Sequence, residues 1–332
     1  MKRNAKKISL FMAVVLVLST MLTFLSGCGE KKERVVIYSS TEDYGIELIQ
    51  NMLDEKFPEY EIVVEYMSTG DHAAKLLSEG ADSEADITHD IEYGYLLKLE
   101  QAGVLADVSN IKAPEYCEEL MVSKNYYPEV RSGGAIIINP KVLADRKLSK
   151  PTSYEDLLKP EYKNLISMPN PKSSGTGYMF LKSLVNSWGE DKAFPYFDDL
   201  TKNILQYTSS GSGPVNALIQ GEVAIGLGMT AQAVSAVNDG TDLEICFFEE
   251  GSPYSVYGQG IVKGKEEREC VVKVFEYLVN SASVENAKLY HPEKILQDKD
   301  FEVKNFPKDI KYADMKNNTF EEKERLLSKW KY

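Results

Sequence analysis

Histidine is scarce: the 332 residues hold only His72, His89 and His291. The chain has no Gly-x-Ser-x-Gly elbow, no Walker phosphate loop and no His-Glu-x-x-His helix. His89-Asp90 pairs a base with an orienting carboxylate, but nothing nominates a nucleophile, so a secreted hydrolase is the least favoured function and the protein is expected not to be an enzyme. Cysteine is also sparse. Beyond Cys28 there are Cys117, Cys246 and Cys270, which cannot all pair within one chain and whose spacing fits no metal motif. They read as mostly buried thiols with room for one disulfide. No resident metal or cofactor is expected, and there is no internal repeat or low-complexity tract.

Positive charge is in deficit, with 38 basic against 51 acidic side chains. Four of the basic ones, Lys2, Arg3, Lys6 and Lys7, stand at the very start. An apolar run over 8–24 follows, then Leu25-Ser26-Gly27-Cys28. This reads as a secretory leader over 1–27 with a positive n-region. The run approaches the ~18 residues of a membrane span, but the small residues before cysteine favour cleavage. Leu-Ser-Gly-Cys resembles the lipobox of bacterial lipoproteins, which implies lipidation of Cys28, a tether over 28–34, and anchoring to the cell membrane on its extracytoplasmic face. Cleavage before Cys28 leaves 34 basic and 51 acidic side chains, a formal charge of −17. That balance excludes a nucleic-acid partner, whose phosphates need a basic surface.

The 300 or so remaining residues suffice for two domains. Val35-Val36-Ile37-Tyr38 is a buried-strand pattern, followed by Ser39-Ser40-Thr41 and a helix with Ile46, Ile49, Leu53 and Phe57 on one face. Strands over 61–66 and 86–89 follow in the same alternation with helices. This implies an α/β fold whose mostly parallel sheets carry helices on both faces, with ligands beyond the C-terminal strand ends. Ser39, Ser40, Thr41, Ser68, Thr69, His89 and Asp90 all lie at such ends.

The most informative stretch is Leu165-Ile166-Ser167-Met168-Pro169-Asn170-Pro171-Lys172-Ser173-Ser174-Gly175-Thr176-Gly177. A short strand closes on two prolines. A helix then begins, with Phe180, Leu181, Leu184, Val185 and Trp188 at helical spacing. Ser173, Ser174, Gly175, Thr176 and Gly177 between them offer hydroxyls, free amides and the positive end of a helix dipole, which together suit an anion. A plain helix cap is the alternative. Ser209-Ser210-Gly211-Ser212 is a second hydroxyl-rich turn, ahead of Pro214, and Thr230 opens another helix after a strand over 223–227.

The run from Pro151 through Lys163, the strand and Ser-Gly-Thr-Gly, and later Gly221-Glu222-Val223-Ala224-Ile225-Gly226-Leu227 resemble the periplasmic-type solute-binding proteins of ABC importers. The branch is the one that takes up ferric iron, phosphonates and sugar phosphates. The resemblance covers nearly all of the mature chain. It implies a monomer with a two-lobed type II periplasmic-binding-protein-like fold, ligand in the interlobe cleft, and the importer's permease subunits as partners. It places lobe 1 at 35–134 plus 255–300 and lobe 2 at 135–254, with crossing strands near 134–139 and 254–261. Residues 301–332 form a polar, partly helical tail assigned to neither lobe.

Iron-binding members present two adjacent tyrosines just after the Gly-Glu strand motif. Here that stretch is Gly228-Met229-Thr230-Ala231-Gln232, and the single adjacent pair, Tyr126-Tyr127, lies elsewhere. Ferric iron is therefore the alternative ligand. The expected one is a small anionic or zwitterionic solute, a phosphonate such as 2-aminoethylphosphonate or a phosphate ester. Its site is expected to draw on Ser39, Ser40, Thr41, Ser173, Ser174, Gly175, Thr176, Gly177, Ser210, Thr230 and Tyr257. Asp90, with Glu92, would meet an ammonium.

Overall fold

The computed structural model describes residues 32–118, 120 and 123–332. The leader, Cys28 and most of the tether lie outside them. Strand β1 (Arg34–Ser39) leads to helix α1 (Asp43–Lys56), β2 (Glu61–Tyr66), α2 (Thr69–Glu79), β3 (Ile87–Glu92) and α3 (Tyr93–Gln101). The long β4 (Tyr127–Ile138) is followed by α4 (Pro140–Arg146), β5 (Ile166–Pro169), α5 (Gly175–Trp188), α6 (Glu190–Leu200) and β6 (Ile204–Thr208). Then come α7 (Gly213–Ile219), β7 (Ile225–Met229), α8 (Thr230–Asn238), β8 (Glu244–Cys246) and β9 (Tyr254–Ile261). Helices α9 (Glu269–Tyr277), α10 (Ser283–Leu289) and α11 (Phe320–Lys329) complete the chain.

The strands run β2-β1-β3-β9-β4-β7-β5-β6, with β8 also on β4. Parallel pairing is found where helical crossovers join strands: β1 with β2 and β3, β5 with β6 and β7. Every pairing of β4 or β9 is antiparallel. Strand β4 pairs with β9 through Gly133 and with β7 from Gly134 onward, so it belongs to both halves of the sheet.

Alternation along the strands divides the core. Val35 and Ile37 enter one apolar cluster, Val36 and Tyr38 another. In the second half Ala135 and Ile137 face one cluster, Ile136 and Ile138 the other. Side chains two apart share a face, so a continuous apolar run fills both faces only when helices cover both. Two sheets covered on both faces and sharing one strand make two lobes. Cys117, Cys246 and Cys270 are free thiols; Cys270 is buried and the others half-buried.

The tail contacts both lobes. Thr319 caps α11 by accepting the Glu322 amide. Lys323, fully buried, ion-pairs with Glu92 at the end of β3 and lies over the rings of Tyr95 and Tyr178. Leu326 and Trp330 enter the core of the second lobe, where Trp330 packs edge-on against Phe197.

Candidate functional site

The C-terminal ends of β1, β3, β5 and the turn after β6 converge around a small cavity between the lobes. From the second lobe come Ser174, Gly175, Thr176, Ser210, Gly211 and Met229. Ser174 is the N-cap of α5, and its hydroxyl oxygen accepts the Gly177 amide at 3.4 Å. Gly175 has to be glycine, because a Cβ there would lie 2.7 Å from the Tyr257 hydroxyl and 3.2 Å from Glu92 Cβ. The start of α5 thus packs closely against Tyr257 and Glu92 at the edge of the cavity.

From the first lobe come Ser40, Thr41, Glu42 and Tyr44, then Tyr66, Ser68 and Thr69, and then Asp90. Ser40 Oγ lies 2.8 Å from His72 Nδ1, and His72 Nε2 lies 2.9 Å from Thr88 Oγ1. Burial pushes His72 down to about 3, so the ring is neutral and one nitrogen donates while the other accepts. Asp90 sits at φ +51, where β3 is irregular between Thr88 and Ile91. Only 8 % of it is exposed, and its Oδ1 has no hydrogen-bond partner among the described residues. Burial raises the Asp90 carboxyl well above the usual range, and nearby Glu129 adds to the rise. The crossing strands add Val130, Ser132 and Tyr257, and His291 stands 3.4 Å from the Tyr44 hydroxyl.

Several contacts bind the lobes to each other around this cavity. The Gly70 amide donates to the Ser173 carbonyl at 3.2 Å. Glu42 faces Ser212, Tyr66 faces Ser210 and Tyr257 faces Thr176 across the cleft. Burial lifts Glu42 to about 7 and Tyr66 to about 12, and drives Tyr44 and Tyr257 well above the ordinary tyrosine value. His291 is pushed down to about 4 by burial. Among the described residues no lysine or arginine lines the cavity. Its acidic groups among the described residues are Glu42 and Asp90, opposed by the start of α5 and a ring of hydroxyls.

Of the residues expected from sequence, Ser40, Thr41, Asp90, Ser174, Gly175, Thr176, Ser210 and Tyr257 line the cavity together. Ser39, Ser173, Gly177 and Thr230 do not. Ser39 is buried beneath, bonded to His89 Nδ1 at 2.9 Å, and His89 in turn meets Glu129 at 2.8 Å. Ser173 Oγ donates to the Ser209 carbonyl at 2.9 Å, and Gly177 packs against the turn at Pro169. Thr230 is fully buried behind Met229. Glu92 is taken by Lys323 and by the Ser255 hydroxyl at 2.8 Å, so it does not face the cavity. Glu42, Tyr44, Tyr66 and His291 were not expected. Among the described residues, no group of three or more His, Cys, Asp or Glu is arranged to hold a metal ion.

Residues 84–318 match the profile of the bacterial extracellular solute-binding proteins. The chain belongs to that family. Members of it bind solutes, and those of ABC importers deliver a small ligand to permease partners. This solute-binding protein is 26% identical to an uncharacterized protein of Haemophilus influenzae over 98% of the chain and 96% of that protein. Its fold matches the periplasmic binding protein AfuA of Actinobacillus pleuropneumoniae, solved with fructose-6-phosphate bound. The TM-score is 0.78 at 25% identity, over 90% of this chain and 98% of that one. Iron-bound HitA of Pseudomonas aeruginosa shares the fold with a TM-score of 0.70 at 15% identity, over 89% and 98%. Both are two-lobed binding proteins, as is this chain. Among the described residues no helix is long and apolar enough to cross a membrane.

Proposed function

We propose that the protein captures a small zwitterionic solute between its lobes and hands it to the permease of an ABC importer. The solute carries an ammonium and a phosphonate or phosphate ester, as 2-aminoethylphosphonate does. One observation carries the reading: the cavity sets the hydroxyl-rich start of α5 against the buried carboxyl of Asp90, whose Oδ1 has no hydrogen-bond partner among the described residues, and no cationic side chain is found among the described residues of its lining. An anion alone would meet two carboxylates without a compensating cation. A zwitterion pairs its ammonium with Asp90 and its oxygens with Ser174, Thr176, Ser40 and Thr41. Native mass spectrometry of freshly purified protein identifies what it carries. Calorimetry then compares 2-aminoethylphosphonate with fructose-6-phosphate on wild type and Asp90→Asn. The zwitterion reading expects the variant to lose affinity for the former only; equal losses for both, or none, would overturn it.

A second reading, ferric iron, draws on Tyr44, Tyr66 and Tyr257 standing with Glu42, Asp90 and His291 around one cavity. Tyrosinate and carboxylate oxygens suit a hard cation. The raised tyrosine values oppose it, since each phenol must lose its proton to bind. A visible tyrosinate-to-iron absorption band on adding ferric citrate would select this reading. Lipidation at Cys28 would keep the protein beside the permease on the outer face of the membrane.

A further inference from the structure

Beneath the first-lobe wall of the cleft runs a short polar chain. Thr88 on β3 pairs in register with Tyr38 on β1, so their side chains share a face, the one on which Ala73 and Leu76 of α2 pack. His72, early in α2, is fully buried there. Its Nε2 lies 2.9 Å from Thr88 Oγ1 and its Nδ1 lies 2.8 Å from Ser40 Oγ. The Tyr38 ring meets it edge-on at 6.1 Å. Ser40 lines the cleft, whereas His72 and Thr88 do not.

These partners fix where the single proton of the neutral ring sits. Thr88 is fully buried, and among the described residues its hydroxyl has no partner but His72. With the proton on Nε2, the Thr88 O–H would be left without an acceptor, at the full cost of a buried unsatisfied donor. Thr88 therefore donates to Nε2, and Nδ1–H donates to Ser40 Oγ. The Ser40 hydroxyl hydrogen then has no acceptor among the described residues and the cleft in front of it. Its neighbours differ: Ser68 donates to Asp71 at 2.7 Å, and Thr41 faces Asp90.

We propose that His72 is a positioning residue that makes Ser40 a fixed donor and reserves that corner of the cleft for an anionic oxygen of the solute. Thr88, His72, Ser40 and the oxygen form one chain in which every link donates in the same direction, and such bonds strengthen one another. A cation at Ser40 would meet the hydroxyl hydrogen, so an ammonium is directed away from it, toward Asp90. The inference deepens the proposed function and rests on it for the solute, while the direction of the chain is a property of the protein alone.

The test begins on the whole protein free of solute. A long-range proton–nitrogen correlation spectrum at neutral pH should show His72 with Nδ1 protonated and Nε2 bare. Thr88→Val removes the donor to Nε2 without altering the lining of the cleft, so signals of both tautomers should appear. Calorimetry with 2-aminoethylphosphonate and with fructose-6-phosphate then reads the consequence. Ser40→Ala should weaken binding about tenfold or more. Thr88→Val should weaken it several-fold, and the double variant no further than Ser40→Ala alone, because Thr88 acts through Ser40. A proton on Nε2 in the wild type would overturn the proposal, and that spectrum decides alone where Thr88→Val fails to fold. An equal loss from Thr88→Val with and without the Ser40 hydroxyl would overturn it too. Binding of fructose-6-phosphate alone, with the expected pattern, would keep the chain and overturn the zwitterion reading; binding of neither would overturn both.

Discussion

The carboxyl of Glu42, at the head of α1 in the first lobe, faces the side chain and backbone of Ser212, at the head of α7 in the second. It therefore spans the cleft as well as lining it. Burial raises it from 4.5 to about 7. The folded protein then binds more protons than the unfolded chain between those values, so stability falls as pH rises from about 4.5 to about 7 and levels off above. At ~1.4 kcal/mol per unit the loss is at most about 3 kcal/mol. Glu42→Gln should remove most of this slope in melting temperature against pH. Asp90, raised in the same direction, contributes the same sign, and Asp90→Asn should flatten the profile further. An unchanged slope in the double variant would refute this account.

Ser174→Ala and Thr176→Val separate binding from capping at α5. Hydrogen bonds to a charged group are worth ~1.5–3 kcal/mol, so losing one hydroxyl should weaken binding roughly ten- to a hundredfold. Ser174 also accepts the Gly177 amide, so its loss should cost about 1 kcal/mol of stability as well. Thr176 caps nothing. Thr176→Val should therefore lower affinity with little change in melting temperature, read by calorimetry and thermal melting on the same samples.

Burial pushes the Glu92 carboxyl up, but Lys323, Ser255 and the Gly94 amide outweigh it and hold the group below its ordinary value. Lys323→Met leaves that charge buried without its cation, and a loss of ~3–5 kcal/mol is expected. Glu92→Gln together with Lys323→Met should recover much of the loss. Chemical denaturation of the three proteins checks this; a double variant as unstable as the single one would contradict it.

Two lobes sharing β4 and linked through β9 should close about a hinge at Gly133-Gly134. Small-angle scattering should give a smaller radius of gyration at saturating ligand than after its removal. An equal radius at proven occupancy would count against hinge closure.

Cys28→Ala should abolish incorporation of labelled fatty acid in a bacterial host and release the protein from the membrane fraction. More than one acyl chain is expected on the wild type, because a single chain binds only marginally. Continued labelling of the variant would remove the lipoprotein assignment.

Much of the cleft is legible in the chain because hydroxyls and glycines at strand ends announce it. Ser174 and Thr176 stand out for that reason, and Asp90 by its place after β3. The same rule cannot separate neighbours. Ser39 and Ser40 have the same chemistry, yet strand alternation turns one into the core and the other to the cavity. Glu42 reads as an ordinary acid ahead of a helix; its contact is with Ser212 on another lobe, and no local pattern encodes that. Tail docking is invisible for the same reason, since Lys323 and Glu92 stand 231 residues apart.

The position of β9 between β3 and β4 has a consequence for the order of folding. The strands of the second lobe lie between 134 and 246, so that sheet can close as one continuous piece. The first lobe cannot. As the chain emerges from its N-terminus, β3 keeps an open, fully buried-type edge until residues 254–261 arrive, more than 150 positions later. A nascent chain therefore carries a sticky strand edge through most of its synthesis, and long-range pairings of this kind form slowly. All strands of the inserted lobe precede residue 247, whereas the lobe that begins the chain is sealed by a strand that comes later in the sequence.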